Sequence, residues 1–185
     1  LTAIADKLDT LGGLFRLGMM PTGSKDPFGL RRAAYGIIRI LIEGKLALSI
    51  PELCSMASAG QNTTVLEAFF VERLRHYLRE MRGHRHDEVQ AVLNASSKQP
   101  LEVAARVETI AKVRPTEDFE LLAATFKRIS NILRQAGGAE VFVAYEVDPR
   151  LIEDGSEKIL FDRFEELSPH VASLKDTGQY HEAQT

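Results

Sequence analysis

The sequence is poor in the residues and patterns that most enzyme chemistry needs. Cys54 is its only cysteine, which excludes an internal disulfide and a cysteine-built zinc site and points to a reducing, cytoplasmic setting. Its neighbours Leu53, Met56 and Ala57 are apolar, so Cys54 reads as a small core residue. No apolar run approaches the ~20 residues of a membrane span, so no membrane partner is expected. The opening stretch carries Asp6, Lys7 and Asp9, unlike a signal peptide. No repeat or low-complexity block occurs. No Gly-x-Ser-x-Gly elbow occurs, and Cys54 has no histidine close in sequence. The stretch Pro21-Thr-Gly-Ser-Lys25 lacks the glycine spacing and preceding strand of a phosphate-binding loop.

What is present is a chain of 185 residues, 44% hydrophobic and 26% charged, enough for one generous domain or two small ones. Leu1 opens in mid-helix pattern, as expected of a piece cut from a longer protein. The net charge of −3 argues against a strong nucleic-acid binder, but the distribution of charge argues the other way. Residues 140–185 hold eleven acids and four bases, a net of −7; residues 1–139 hold fifteen acids and nineteen bases, a net of +4. Such asymmetry hints at a polyanionic partner.

Nearly every segment has helical periodicity. Ile4, Leu8, Leu11 and Phe15 share a face of a first helix ending near Leu17, with Gly12-Gly13, Gly18 and the Pro21–Pro27 stretch as breakers. Asp26 as N-cap and Pro27 as first helical residue predict a second helix from that point to Gly44. Ser49 with Glu52 predicts a capping box for a short third helix, closed by Gly60. Thr64 with Glu67 predicts another, opening a helix whose apolar face runs through Leu66, Phe69, Phe70, Leu74, Tyr77, Leu78 and Met81 to Gly83. Further helices are expected over Asp87–Leu93 and Pro100–Val113. Another runs from Thr116 to Gly137-Gly138, with the stripe Phe119, Leu122, Phe126, Ile129 and Leu133. Val141–Val147 is the one strand-like run, stopped by Asp148-Pro149. A last helix is expected over about Ser156–Leu167, with a frayed tail after Gly178. The fold class is all-α, helices joined by short loops.

His84-Arg-His86-Asp87 resembles the adjacent His and Asp of metal-dependent phosphohydrolases, but such a centre needs ligands converging from several helices. His76, His170 and His181 have no ligand-like company, and Asp87 suits a helix cap. No metal and no catalytic residue is assigned. The basic residues are more informative. Arg75, Arg79 and Arg82 fall at i, i+4 and i+7, opposite the apolar face. Lys127, Asn131 and Arg134 repeat that spacing, with Arg128 beside them, and Arg31, Arg32 and Arg39 form a third cluster. Two helices showing cations on one face suit a phosphate backbone. The plainer reading is a solvated face with local ion pairs such as Glu72 with Arg75.

Several blocks, in order, resemble the β subunit of bacterial glycyl-tRNA synthetase. They are Ala5-Asp-Lys-Leu-Asp-Thr10, Pro21-Thr-Gly-Ser-Lys-Asp-Pro-Phe28, Leu30-Arg-Arg-Ala-Ala34, Glu72-Arg-Leu-Arg-x-Tyr-Leu78, Asp87 to Leu93, and Phe126-Lys-Arg-Ile-x-Asn-Ile132. They span almost the whole chain, and the block around Thr22–Phe28 is the most specific. The resemblance implies a heterotetramer of two α and two β subunits that joins glycine to its tRNA with ATP. In that family the α subunit holds the aminoacylation site, and the β subunit supplies tRNA contacts. It implies no cofactor within this stretch. It further implies that residues 1–60 are the tail of a His-Asp-type helical domain plus connector, with Asp6 at that fold's last acidic position. Residues 61–185 would then be a helical anticodon-binding domain similar to that of arginyl-tRNA synthetase.

A recognition mechanism follows from that resemblance. Glycine tRNAs share two cytosines in the anticodon, and unstacked loop bases are read by stacking and edge hydrogen bonds. The candidates for tRNA contact are Arg75, Arg79, Arg82, Lys127, Arg128, Asn131 and Arg134, with Lys25, Arg31 and Arg32 weaker. The alternatives are an arginyl-type synthetase domain, which would not normally carry the Lys25–Phe28 block, and a helical module that docks the α subunit through apolar surface.

Overall fold

A computed structural model of the chain describes residues 2–58, 63–95, 98–137 and 147–176. Among the described residues there are eight α-helices and no strand. The strand-like run 141–147 and the terminators Gly60 and Gly138 lie outside them, apart from Val147, which is irregular; so does the tail after Gly178. The helices are α1 (Thr2–Arg16), α2 (Leu30–Glu43), α3 (Ile50–Ser58), α4 (Thr64–His76), α5 (His86–Asn94), α6 (Pro100–Val113), α7 (Glu117–Gln135) and α8 (Ser156–Asp176). The chain forms two compact units, 1–111 and 112–185. The boundary expected near residue 60 falls within the first of these units.

In the first unit one core joins all six helices. Ile4, Leu8 and Leu11 of α1 meet Ile37, Ile38 and Leu41 of α2, Leu53 and Cys54 of α3, Phe70 and Leu74 of α4, Val89 of α5, and Val103 and Val107 of α6. Aromatic contacts extend it, with Phe15 5.1 Å from Phe69 and Tyr35 5.3 Å from Tyr77 between ring centroids. Burial pushes the Cys54 thiol up to about 12, which suits a packing residue. Gly12-Gly13 does not break α1. Gly12 is buried inside it, and a Cβ there would stand 2.3 Å from the Ala57 carbonyl oxygen, so its bareness lets α3 approach.

Several helix boundaries differ from the sequence pattern for local reasons. The α2 helix begins at Leu30, not Pro27, because Gly29 at φ +65° interposes a left-handed residue. Asp26 still caps it, its carboxylate accepting from the backbone N–H of Leu30 (2.8 Å) and Arg31 (3.0 Å). The Ser49/Glu52 capping box is present, with the Ser49 N–H donating to Glu52 Oε2 at 2.7 Å and Glu52 N–H to Ser49 Oγ at 3.3 Å. For α4 the partner of Glu67 is Thr63, whose hydroxyl donates to Oε1 at 2.6 Å. Asp87 lies inside the first turn of α5; Glu88 closes that end by accepting the Arg85 N–H at 3.1 Å.

After α4 the chain makes a π-helical turn, Tyr77–Met81. The extra residue per turn rotates the rest of the segment, so Tyr77 and Leu78 are buried while Met81 is 65% exposed. Met81 therefore leaves the apolar face on which an unbroken helical period places it.

The second unit is built differently. Thr116 caps α7, its hydroxyl accepting from the Phe119 N–H at 3.3 Å. Yet α7 buries no residue, and Leu122, Phe126 and Ile129 of its stripe are exposed. Asp148 caps a short 3₁₀ turn, Pro149–Leu151. The α8 helix continues nine residues past the expected Leu167, running through Pro169. An interior proline removes one N–H and crowds the carbonyl four residues back, at a cost of ~3 kcal/mol.

Candidate nucleic-acid interface

The expected cations fall into three groups with different local chemistry. The first lies at the end of α4 and the π turn. Arg75 is ion-paired with Glu72 and only 26% exposed. Arg82 reaches across to Glu108 of α6, and that hydrogen-bonded pair raises the Arg82 pKa further. Arg79 approaches Glu80 at 4.0 Å, the edge of an ion pair. Arg73 lies 5.8 Å over the Phe69 ring and 3.8 Å from Glu72. Carboxylates thus neutralise Arg75 and Arg82, and the π turn breaks the i, i+4, i+7 register expected of Arg75, Arg79 and Arg82.

The second group lies on α7. Lys127, Arg128 and Arg134 are exposed and Asn131 is half-buried. Asn131 Oδ1 accepts from Arg134 Nη2 at 2.8 Å, which orients the guanidinium and leaves the Asn131 amide N–H groups to donate elsewhere. Among the described residues Lys127 and Arg128 have no carboxylate partner. The helical spacing sets Lys127, Asn131 and Arg134 opposite Leu122, Phe126 and Ile129.

The third group surrounds the loop before α2. Thr22 and Lys25 pair backbone to backbone, Lys25 N–H to Thr22 O at 2.9 Å and Thr22 N–H to Lys25 O at 3.2 Å. Gly23 at φ +50° permits that tight turn. Arg31 Nη2 donates to the Gly23 carbonyl at 2.6 Å and ties the loop tip to the helix. The Arg32 guanidinium folds over Gly29, where Nη2 would lie 3.0 Å from a Cβ. Lys25 is exposed with no ion-pair partner among the described residues, and Phe28 is 53% exposed. Charge pattern alone picks out the cations of this loop and misses Phe28. The signal for it is an aromatic residue in a glycine- and proline-rich loop between Lys25 and Arg31.

The model of the glycyl-tRNA synthetase β subunit family matches residues 1–94. The chain belongs to that family. Among its relatives, the glycine–tRNA ligase β subunit of Acidobacterium capsulatum is 40% identical, covering 99% of this chain and 28% of that protein. The β subunit of Shewanella denitrificans is 39% identical over 99% of this chain and 27% of its own length. That of Aromatoleum aromaticum is 42% identical over 98% and 27%. The chain therefore spans a little over a quarter of the β subunits it matches. The loop and the α4 arginines fall within residues 1–94 of the family match, and α7 lies beyond it but within the stretch shared with these relatives.

Among the described residues no three His, Cys, Asp or Glu side chains converge as metal ligands. Asp87 instead accepts from the Glu88 N–H at 3.1 Å and lies 3.4 Å from Arg85 Nε. Asp6 is exposed on α1. No described helix is long and apolar enough to cross a membrane.

Proposed function

We propose that this chain is a tRNA-binding part of the glycine–tRNA ligase β subunit, and that its second unit belongs to an anticodon-reading domain. In this reading it supports ATP-dependent glycylation catalysed with the α subunit, and it works in the cytoplasm. The observation that carries the reading is the polar face of α7. Lys127 and Arg128 stand free of carboxylates among the described residues, and Asn131 holds Arg134 in a fixed pose. Cations without an internal partner bind phosphate without first breaking an ion pair. A planar guanidinium beside an amide offers the donors that cytosine O2 and N3 accept. Arg75 and Arg82 are weaker contacts on the same argument, because Glu72 and Glu108 compete for them.

The test is the affinity of the full-length subunit for glycine tRNA after alanine replacement of Lys127, Arg128 and Arg134. Each lost phosphate contact should lower the salt slope by about one, and a lost base-edge contact should cost ~1–3 kcal/mol for this tRNA alone. An unchanged affinity in the triple variant removes the reading.

A second reading has its own support. Leu122, Phe126 and Ile129 on α7, with Leu160, Phe164 and Leu167 on α8, are large apolar side chains in the open. Exposed apolar stripes of this kind mark protein-docking faces, and the α subunit is the partner they would serve. The two readings are compatible, since cations and apolar stripe occupy opposite sides of α7.

A further inference from the structure

We infer that the loop 21–29 is a nucleotide-stacking site, with Phe28 as its platform and Lys25 and Arg32 as its phosphate contacts. The inference rests on the tRNA-binding reading above, and adds a site on the first unit that the expected arginine stripe did not include. An exposed phenylalanine gains nothing from water, and 53% of Phe28 is open beside the first turn of α2. Its neighbourhood is fixed in place. The Asp26 carboxylate holds the Leu30 and Arg31 N–H groups, and Arg31 holds the Gly23 carbonyl. The Thr22–Lys25 bridge closes the tip. A platform held this way loses little conformational freedom when a base settles on it.

The charges around it also differ from those of several arginines elsewhere on the first unit. Arg39, Arg75, Arg82 and Arg106 are each engaged by a carboxylate. Lys25 has no such partner among the described residues, and Arg32 rests on the bare Gly29 backbone next to Phe28. Asp26 is taken up by backbone N–H groups, so it caps the helix end and does not serve as a carboxylate partner to Lys25 or Arg32. An exposed aromatic ring in the same short loop as cations without carboxylate partners is the chemistry that holds an unstacked RNA nucleotide, its base on the ring and its phosphates on the basic side chains. An apolar protein partner would leave Lys25 and Arg32 without a counter-charge.

The test uses the full-length subunit, glycine tRNA and a chloride titration. Phe28→Ala should weaken binding about five- to 150-fold, the range of one lost base stack, and leave the salt slope unchanged. Phe28→Tyr keeps the π face and should bind as the parent does. Phe28→Leu keeps an apolar side chain without that face and should behave like the alanine variant. Lys25→Ala with Arg32→Ala should instead lower the salt slope by about 1.5–2. Phe28→Ala within twofold of the parent, or Phe28→Leu binding as tightly as the parent, overturns the stacking site while tRNA binding stands. A parent subunit that does not retain glycine tRNA removes the tRNA reading and this site with it.

Discussion

At the scale of single residues, Glu67 shows how local partners set a measurable pH dependence. The Thr63 hydroxyl and then Lys98 Nζ, at 3.1 Å, hold its carboxyl below the ordinary glutamate range. Both partners favour the charged form, so the folded state binds this proton less readily than the unfolded chain does. The stabilisation is therefore complete above the unfolded value near ~4.3, and fades as pH falls through the lower folded value. Glu67→Gln should cost up to about 1 kcal/mol in urea denaturation at pH 7. The gap to the parent should close as pH drops below about 4; a gap that persists at pH 2.5 would place the effect in packing instead of charge. Gly12 is a residue-scale feature of the opposite kind. Its doublet with Gly13 looks like a breaker in sequence, because only the distant Ala57 carbonyl reveals why a side chain is missing there.

At the scale of elements, the π turn makes a sharp contrast between two neighbours on one apolar pattern. Leu78 is fully buried and Met81 is 65% exposed. Leu78→Ala should cost ~2–5 kcal/mol of unfolding free energy, and Met81→Lys should stay within about ±0.5 kcal/mol. A large loss at Met81 would return it to the core. The pattern misleads at Met81 because periodicity fixes which residues are apolar, while one extra residue in a turn decides where they point. Many signals that act over three or four residues are legible, though the caps of α4 and α5 are each one residue off. Ser49 with Glu52, the helix restart at Thr116, and the full span Pro100–Val113 all follow from local spacing. The start of α2 is not, since a left-handed Gly29 sets it. The candidate cations are visible as charges. Which of them are already neutralised is not, because Glu108 lies 26 residues from Arg82.

At the scale of the whole molecule, the two units differ in what holds them. Among the described residues the buried hydrophobic core lies between Ile4 and Val107, whereas α7 buries none. A polypeptide of residues 1–111 should accordingly melt in one cooperative transition, and residues 112–185 alone should unfold gradually and bind a hydrophobic dye. A cooperative, dye-silent second unit would contradict the exposure of its stripes. Those stripes also give the chain two opposed responses to the identity of a salt. If Lys127 and Arg128 hold RNA as proposed, added chloride weakens that contact. Sulfate, excluded from protein surfaces, strengthens apolar association as well, driving Phe126 and Phe164 of separate molecules together. In ammonium sulfate the isolated chain would then lose RNA and self-associate at once, and light scattering would report the second event while the apparent affinity recorded both.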